Sequence, residues 1–238
     1  MPEAIGIAIV GAESTGKTTL AQTLATRLAA GTGRRVAWVP EVLREWCEHA
    51  GRTPQVQEQA AILRAQHERI SAAGAEHDIV VCDTTALMTA VYSQLLFADR
   101  TLHERAAQLH RRSVSATLLT AIDLPWVSDG LQRDGPQVRE PVDAALRELM
   151  QGQGIAYAVV GGQGEARVLQ ALAAVAPLLR NTGPDGPQQT AGSQKNAGRA
   201  QGLFTGLESD TANRRASAWA CECCLPDQER ALRRSRSQ

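Results

Sequence analysis

Short apolar runs alternate along this chain with longer stretches in which apolar residues recur every three to four positions. Residues 5–10, IGIAIV, form a continuous run rich in β-branched residues that stops at Gly11, the mark of a buried central strand. Residues 18–30 then carry Leu20, Leu24 and Leu28 with Ala21 and Ala25 beside them, which predicts a helix with one apolar stripe. The same alternation predicts strands over 35–40, 79–82, 116–122 and 156–160. Helices are predicted over 41–49, 56–73, 85–96, 102–110, 142–150 and 165–179. Residues 126–141, with several Gly, Pro, Asp and Arg, read as loop.

Strand–helix alternation with continuous rather than alternating strand patterns argues for a mostly parallel five-stranded sheet covered on both faces. That is an α/β protein of the three-layer α/β/α sandwich type. Ligands of such sheets lie at the carboxyl ends of the strands. Lys17, Glu41, Asp83 and Asp123 all fall at or just beyond such ends.

The segment GAESTGKT, Gly11 to Thr18, fits G-x-x-x-x-G-K-[ST] and lies between a predicted strand and a predicted helix, the context that motif requires. It places the fold among the P-loop NTPases. Gly11 and Gly16 permit a tight turn whose N–H groups face inward, and the helix N-terminus adds positive potential. Glu13, Ser14, Thr15 and Thr19 complete the nucleotide-binding stretch around these glycines. Lys17 is placed to reach the β- and γ-phosphates of ATP, and the Thr18 hydroxyl to hold Mg²⁺. Asp83, closing the apolar run IVVCD, is the expected carboxylate partner of that ion. A helix N-cap role ahead of Thr85 is compatible with it.

Phosphoryl transfer to an acceptor further needs an orienting carboxylate, cations over the moving group and exclusion of water. Glu41 in VPEVLREW could orient or deprotonate a hydroxyl, with Arg44 one turn on to steady a phosphate. A capped helix with solvated charges is the plainer alternative. Arg133 and Arg139, in GLQRDGPQVREP, could be carried over the nucleotide by a closing loop, or they could simply face water. The turn VVGGQGEAR offers Gly162 for close approach to adenine and Arg167 to stack on it; a tight strand-to-helix turn is an equal reading. No N-K-x-D motif for reading guanine occurs, which disfavours a GTP switch.

Four stretches, GAESTGKTTL, VPEVLREW, VCDTTALMTAVYS and IDLPWVSDGLQRDG, resemble the ribosylnicotinamide kinase domain of NadR-type proteins and related stand-alone P-loop ATPase/kinase proteins. The resemblance covers residues 4–180 and implies a nucleoside-kinase-like fold. The implied reaction is transfer of the ATP γ-phosphoryl group to the ribose 5′-hydroxyl of nicotinamide riboside. It also implies that Glu41 and Arg44 lie on the acceptor side, with Tyr92 on the polar face after the third strand. Asp123, Trp126 and Asp129 would surround the nucleoside or its closing loop, and Arg133 and Arg139 would be lid arginines. Trp126 could offer a ring face to a pyridinium cation, or it could be buried against the sheet. This chain departs from the pattern at Gln132, which separates D-G-L from Arg133, and in VLREW, which is less aromatic than its counterparts. A kinase for another small hydroxyl substrate stands beside this reading. So does a regulatory ATP-binding module with a partner-binding tail.

The chain has 238 residues, 43% hydrophobic but only 3% aromatic, so an aliphatic core is expected. Formal net charge is +0, which gives no support for nucleic acid as a partner. Five cysteines in a chain of this length do not suggest a disulfide framework. With no apolar run long enough to span a bilayer, the sequence reads as a cytoplasmic protein without a membrane partner, and self-association is left open. Beyond residue 180 the composition shifts. Residues 181–200 read as a flexible linker and residues 201–238 as a poorly ordered tail. Cys221, Cys223 and Cys224 in that tail lack the further ligands a closed zinc site needs.

Overall fold

The computed structural model describes residues 4–127 and 135–180. Asp129, Arg133, the 181–200 and 201–238 segments and the tail cysteines lie outside these residues. Five strands, β1 (Ile5–Val10), β2 (Val36–Val39), β3 (Ile79–Asp83), β4 (Ala116–Thr120) and β5 (Ala158–Val160), form one sheet in the order β2-β3-β1-β4-β5. Every pairing is parallel, with Ile7 opposite Val81 on one side and opposite Ala116 on the other. The helices are α1 (Lys17–Thr32), α2 (Val42–Ala50), α3 (Val56–Glu76), α4 (Ala86–Phe97), α5 (His103–Ser113), α6 (Arg139–Gly152) and α7 (Gly164–Arg180).

The period-two geometry of the strands splits their side chains between two cores. Ile5, Ile7 and Ile9 of β1, with Ile79, Val81 and Leu118, pack against Leu20, Leu24 and Leu28 of α1 and Val168, Ala171 and Val175 of α7. Val10 and Leu119 turn to the opposite face, under Leu87, Val91, Leu109, Leu146 and Met150 of α4, α5 and α6. Val39, Val80 and Cys82 meet Ile70 of α3 on that same side. The sandwich is therefore three layers, as the alternation predicts. Each fully buried Ile or Leu contributes about 2–3 kcal/mol by leaving water. No described helix is long and apolar enough to cross a membrane.

Two boundaries move for local reasons. Helix α6 begins at Arg139, not at 142, because Pro141 falls in the first turn, where the missing N–H has no intrahelical acceptor to lose. Strand β4 ends at Thr120, not at 122, because its neighbours end there: Leu119 is opposite Val10, the last residue of β1, and Thr120 opposite Val160, the last of β5.

Gly6 sits inside a central strand because the α5–β4 connection crosses it. A Cβ there would lie 1.8 Å from the backbone oxygen of Ser113. Behind that crossing, His110 of α5 is buried between two hydroxyls, with Nδ1 3.1 Å from Thr85 Oγ1 and Nε2 2.8 Å from Thr117 Oγ1. Burial, aided by the Arg111 charge, lowers its pKa to about 4. Thr85 is also the N-cap of α4, so this ring links β4 to the turn that follows Asp83.

Gly6→Ala is expected to cost about 3 kcal/mol or more in a urea titration, since backbone must move to admit the methyl group. His110 gives a pH signature. The unfolded chain takes up its proton below about pH 6.5 while the native ring stays neutral down to about 4. This contribution is full above pH 6.5 and is lost as pH falls between those values. His110→Gln should remove that limb from the stability–pH profile relative to the unsubstituted protein.

Candidate active site

The loop between β1 and α1 is shaped from outside as much as by its own glycines. Gly11 has φ +150°, and a Cβ on it would stand 2.1 Å from the Thr120 hydroxyl oxygen. Gly16 caps α1 in the left-handed region at φ +76°, and Ser14 takes φ 54°. The Thr15 hydroxyl reaches the Ala12 carbonyl at 2.8 Å and the Thr120 hydroxyl at 2.7 Å. Lys17 Nζ donates to the same Ala12 carbonyl at 2.8 Å. Ser14 is stapled to the segment after β4, donating to the Val127 carbonyl at 3.1 Å and accepting from the Val127 N–H at 2.9 Å.

Beside this loop, across the carboxyl edge of β3 and β2, stand Asp83 and Glu41. Asp83 is 3% exposed and its Oδ1 has no hydrogen-bond partner. Burial raises its pKa, against the Thr18 hydroxyl and the charges of Lys17 and Arg44, which pull it down. Part of Glu41 reaches solvent, yet its carboxyl is enclosed. Burial raises its pKa most; Lys17 opposes this, Asp83 adds to it, and Arg44 and the Thr84 hydroxyl lower it. Thr84 donates to Glu41 Oε1 at 3.2 Å. Lys17, Thr18, Glu41, Arg44 and Asp83, five expected site residues, thus form one electrostatic group.

Several supports were not legible in the sequence. Thr84 is buried in the left-handed region at φ 68°, a strained position for a β-branched residue. Gln66 of α3 accepts from Val42 N–H at 2.7 Å and donates to the Pro40 carbonyl at 3.3 Å, gripping the backbone on both sides of Glu41. The doubled threonine after Asp83 is the one sequence signal that could have marked Thr84.

Other expected residues lie elsewhere or act differently. Arg167 is 4% exposed and offers no face to a base, which corrects the adenine-stacking expectation. It donates from Nη1 to the Thr15 carbonyl at 2.6 Å, from Nε to the Gly162 carbonyl at 2.8 Å, and from Nη2 to Asp123 Oδ1. Asp123 Oδ2 accepts from Gly162 N–H at 2.5 Å. Both Asp123 oxygens thus bond to the β5–α7 turn, while the residue keeps an exposed face. Arg139 is not on a loop facing water: it opens α6, is 6% exposed and donates from Nη1 to the Leu124 carbonyl at 2.9 Å. Its Nε and Nη2 are buried without hydrogen-bond partners. Tyr92 of α4 is half-buried against the cluster of Val42, Leu43, Cys47 and Ile62, on the α2 side of the cleft. Trp126 is half-buried in the segment after β4, Glu13 keeps a buried Oε2 without a partner, and Thr19 is exposed on α1.

An all-parallel sheet in this order, with a phosphate loop after β1 and a carboxylate closing β3, defines a P-loop α/β protein of the nucleoside- and nucleotide-kinase-like type. The chain belongs to the AAA domain family, whose model matches residues 6–167. No curated protein matches it in sequence. Its fold is similar to that of a NadR protein in complex with NAD and AMP-PNP, at TM-score 0.57 and 22% identity over 74% of this chain and 50% of that one. A NadR protein in complex with NR gives TM-score 0.57 and 20% identity over 79% and 53%. Thymidylate kinase from Ehrlichia chaffeensis gives 0.51 and 17% over 74% and 100%. The chain thus spans about half the length of the NadR proteins it matches. These likenesses bear out the nucleoside-kinase-like fold that the four motifs implied.

The enclosed Glu41 carboxyl is expected to titrate above the ordinary range for a glutamate in a carboxyl-detected NMR titration. Thr84→Val, which removes a hydroxyl that stabilises the charged form, should move the midpoint higher still.

Proposed function

We propose that this protein transfers the γ-phosphoryl group of ATP to a hydroxyl of a nucleoside, with the ribose 5′-hydroxyl of nicotinamide riboside as the first candidate acceptor. The observation that carries this reading is the Glu41 carboxyl set across from the phosphate loop. It is enclosed with Lys17 and Asp83 and gripped through Thr84 and Gln66. A carboxylate at that place can polarise water as well as a hydroxyl; the four sequence motifs and the fold likeness to kinases favour the hydroxyl.

In this reading the inward N–H groups of the loop and the start of α1 hold the phosphates. Lys17 leaves the Ala12 carbonyl for the phosphate oxygens. Glu41 accepts or orients the acceptor proton as the hydroxyl oxygen bonds to the γ-phosphorus and the bond to ADP breaks. Arg44 offsets the negative charge that accumulates. Asp83, with its open Oδ1 beside Thr18, fits a magnesium ion shared with the triphosphate, which would neutralise phosphate charge. Nicotinamide riboside is favoured by the four sequence motifs and by likeness to a NadR protein in complex with NR. The chemistry is assigned to residues 1–180, with 181–238 a dispensable appendage.

The test is incubation with ATP and Mg²⁺ against a nucleoside panel, read by mass. A gain of one phosphoryl group on nicotinamide riboside alone is expected. Transfer to another nucleoside would keep the reaction and move the substrate, and ATP loss without a phosphorylated acceptor would overturn transfer in favour of a regulatory ATPase. Lys17→Ala and Glu41→Gln should each lower turnover about a hundredfold or more, with ATP binding retained in Glu41→Gln. Because the Glu41 pKa is raised, kcat/KM should fall on the acid side from above the usual glutamate range. Glu41→Gln should abolish that limb.

A further inference from the structure

A buried arginine is costly unless its charge and its N–H groups are matched. Each of the three Arg167 side-chain nitrogens has an acceptor, and every acceptor lies in or near the phosphate loop. Its three nitrogens reach three separate pieces of chain: the loop at Thr15, the β5–α7 turn at Gly162, and the segment after β4 at Asp123. Asp123 returns the connection by accepting from Gly162 N–H, which closes the triangle.

The contact with Thr15 has a consequence inside the loop. A trans peptide is planar, so the Thr15 carbonyl and the Gly16 N–H point in opposite directions. With the carbonyl held by Arg167 at 2.6 Å, the Gly16 N–H at the N-cap of α1 is committed to the side away from Arg167. Thr15 cannot swing back readily, because its own hydroxyl is pinned to Ala12 and Thr120.

We propose that Arg167 is a positioning residue for phosphate binding. It fixes one of the loop's inward donors from behind, and Asp123 with the Gly161–Gly162 turn fixes Arg167 in its turn. The proposal rests on the loop binding a nucleoside triphosphate. It assigns Arg167 and Asp123 to the phosphates and removes both from contact with base or acceptor. It also couples the β5–α7 turn to the phosphate loop, so a disturbance of that turn reaches the phosphates through one guanidinium.

Calorimetric titration of the full chain with inorganic tripolyphosphate and, separately, with ATP decides it without any acceptor. Arg167→Lys keeps the charge and loses the three-way fork. Asp123→Asn is nearly isosteric and keeps the test open if the lysine variant does not fold. Each should weaken both ligands by the same factor, about tenfold or more, the scale of a charge-assisted hydrogen bond. The double variant should be little worse than the weaker single, as for residues acting as one unit. A loss for ATP with tripolyphosphate unchanged would overturn the proposal and return Arg167 to the base. Unchanged affinity for both ligands would overturn it as well. If the unsubstituted protein binds neither ligand, the nucleotide reading itself fails, a result distinct from either.

Discussion

A phosphate loop works only if its carbonyls are kept turned away from the anion, because each reversed peptide puts negative charge where positive is needed. In this chain that condition is met by assigning carbonyls to fixed donors. The Ala12 carbonyl is taken by the Thr15 hydroxyl, and the Thr15 carbonyl by Arg167. Gly11 is pressed against Thr120, where no side chain fits. These contacts come from β4 and α7 as well as from the loop. The register of the central strands and the seating of α7 on the sheet are thus conditions for the loop's shape, and the apolar core beneath α1 and α7 serves the anion site directly.

The carboxyl pair beside the loop is built on the opposite electrostatic principle. Two carboxyls, Glu41 and Asp83, are enclosed near each other; burial raises both pKa values, and the Asp83 charge raises that of Glu41 further. Cations reduce that cost without removing it. A left-handed threonine adds backbone strain at the same corner. Poor local energetics held in place by surrounding structure are characteristic of a site shaped for a ligand and not for stability. Arg139, buried with two unpartnered nitrogens at the head of α6, adds to that cost a short way along the chain from the loop's anchor at Val127.

The sequence by itself determined the order of strands and helices, the parallel three-layer sandwich and the phosphate loop, because each depends on local periodicity or on a contiguous motif. Lys17, Glu41 and Asp83 lie at or just beyond strand ends, and such positions in a parallel sheet converge at one edge, where these groups interact. The tertiary structure alone decided what Arg167, Asp123 and Arg139 do. Arg167 and Thr15 are 152 residues apart, and Thr15 and Thr120 are 105 apart. An arginine in a glycine-rich turn reads equally well as a base-stacking or a solvated group until packing removes it from water. Burial then forces it to find acceptors, and the nearest are the Thr15 and Gly162 carbonyls and Asp123. Helical and strand periods carry no information about such pairings, which are set by how α7 settles across β1 and β4.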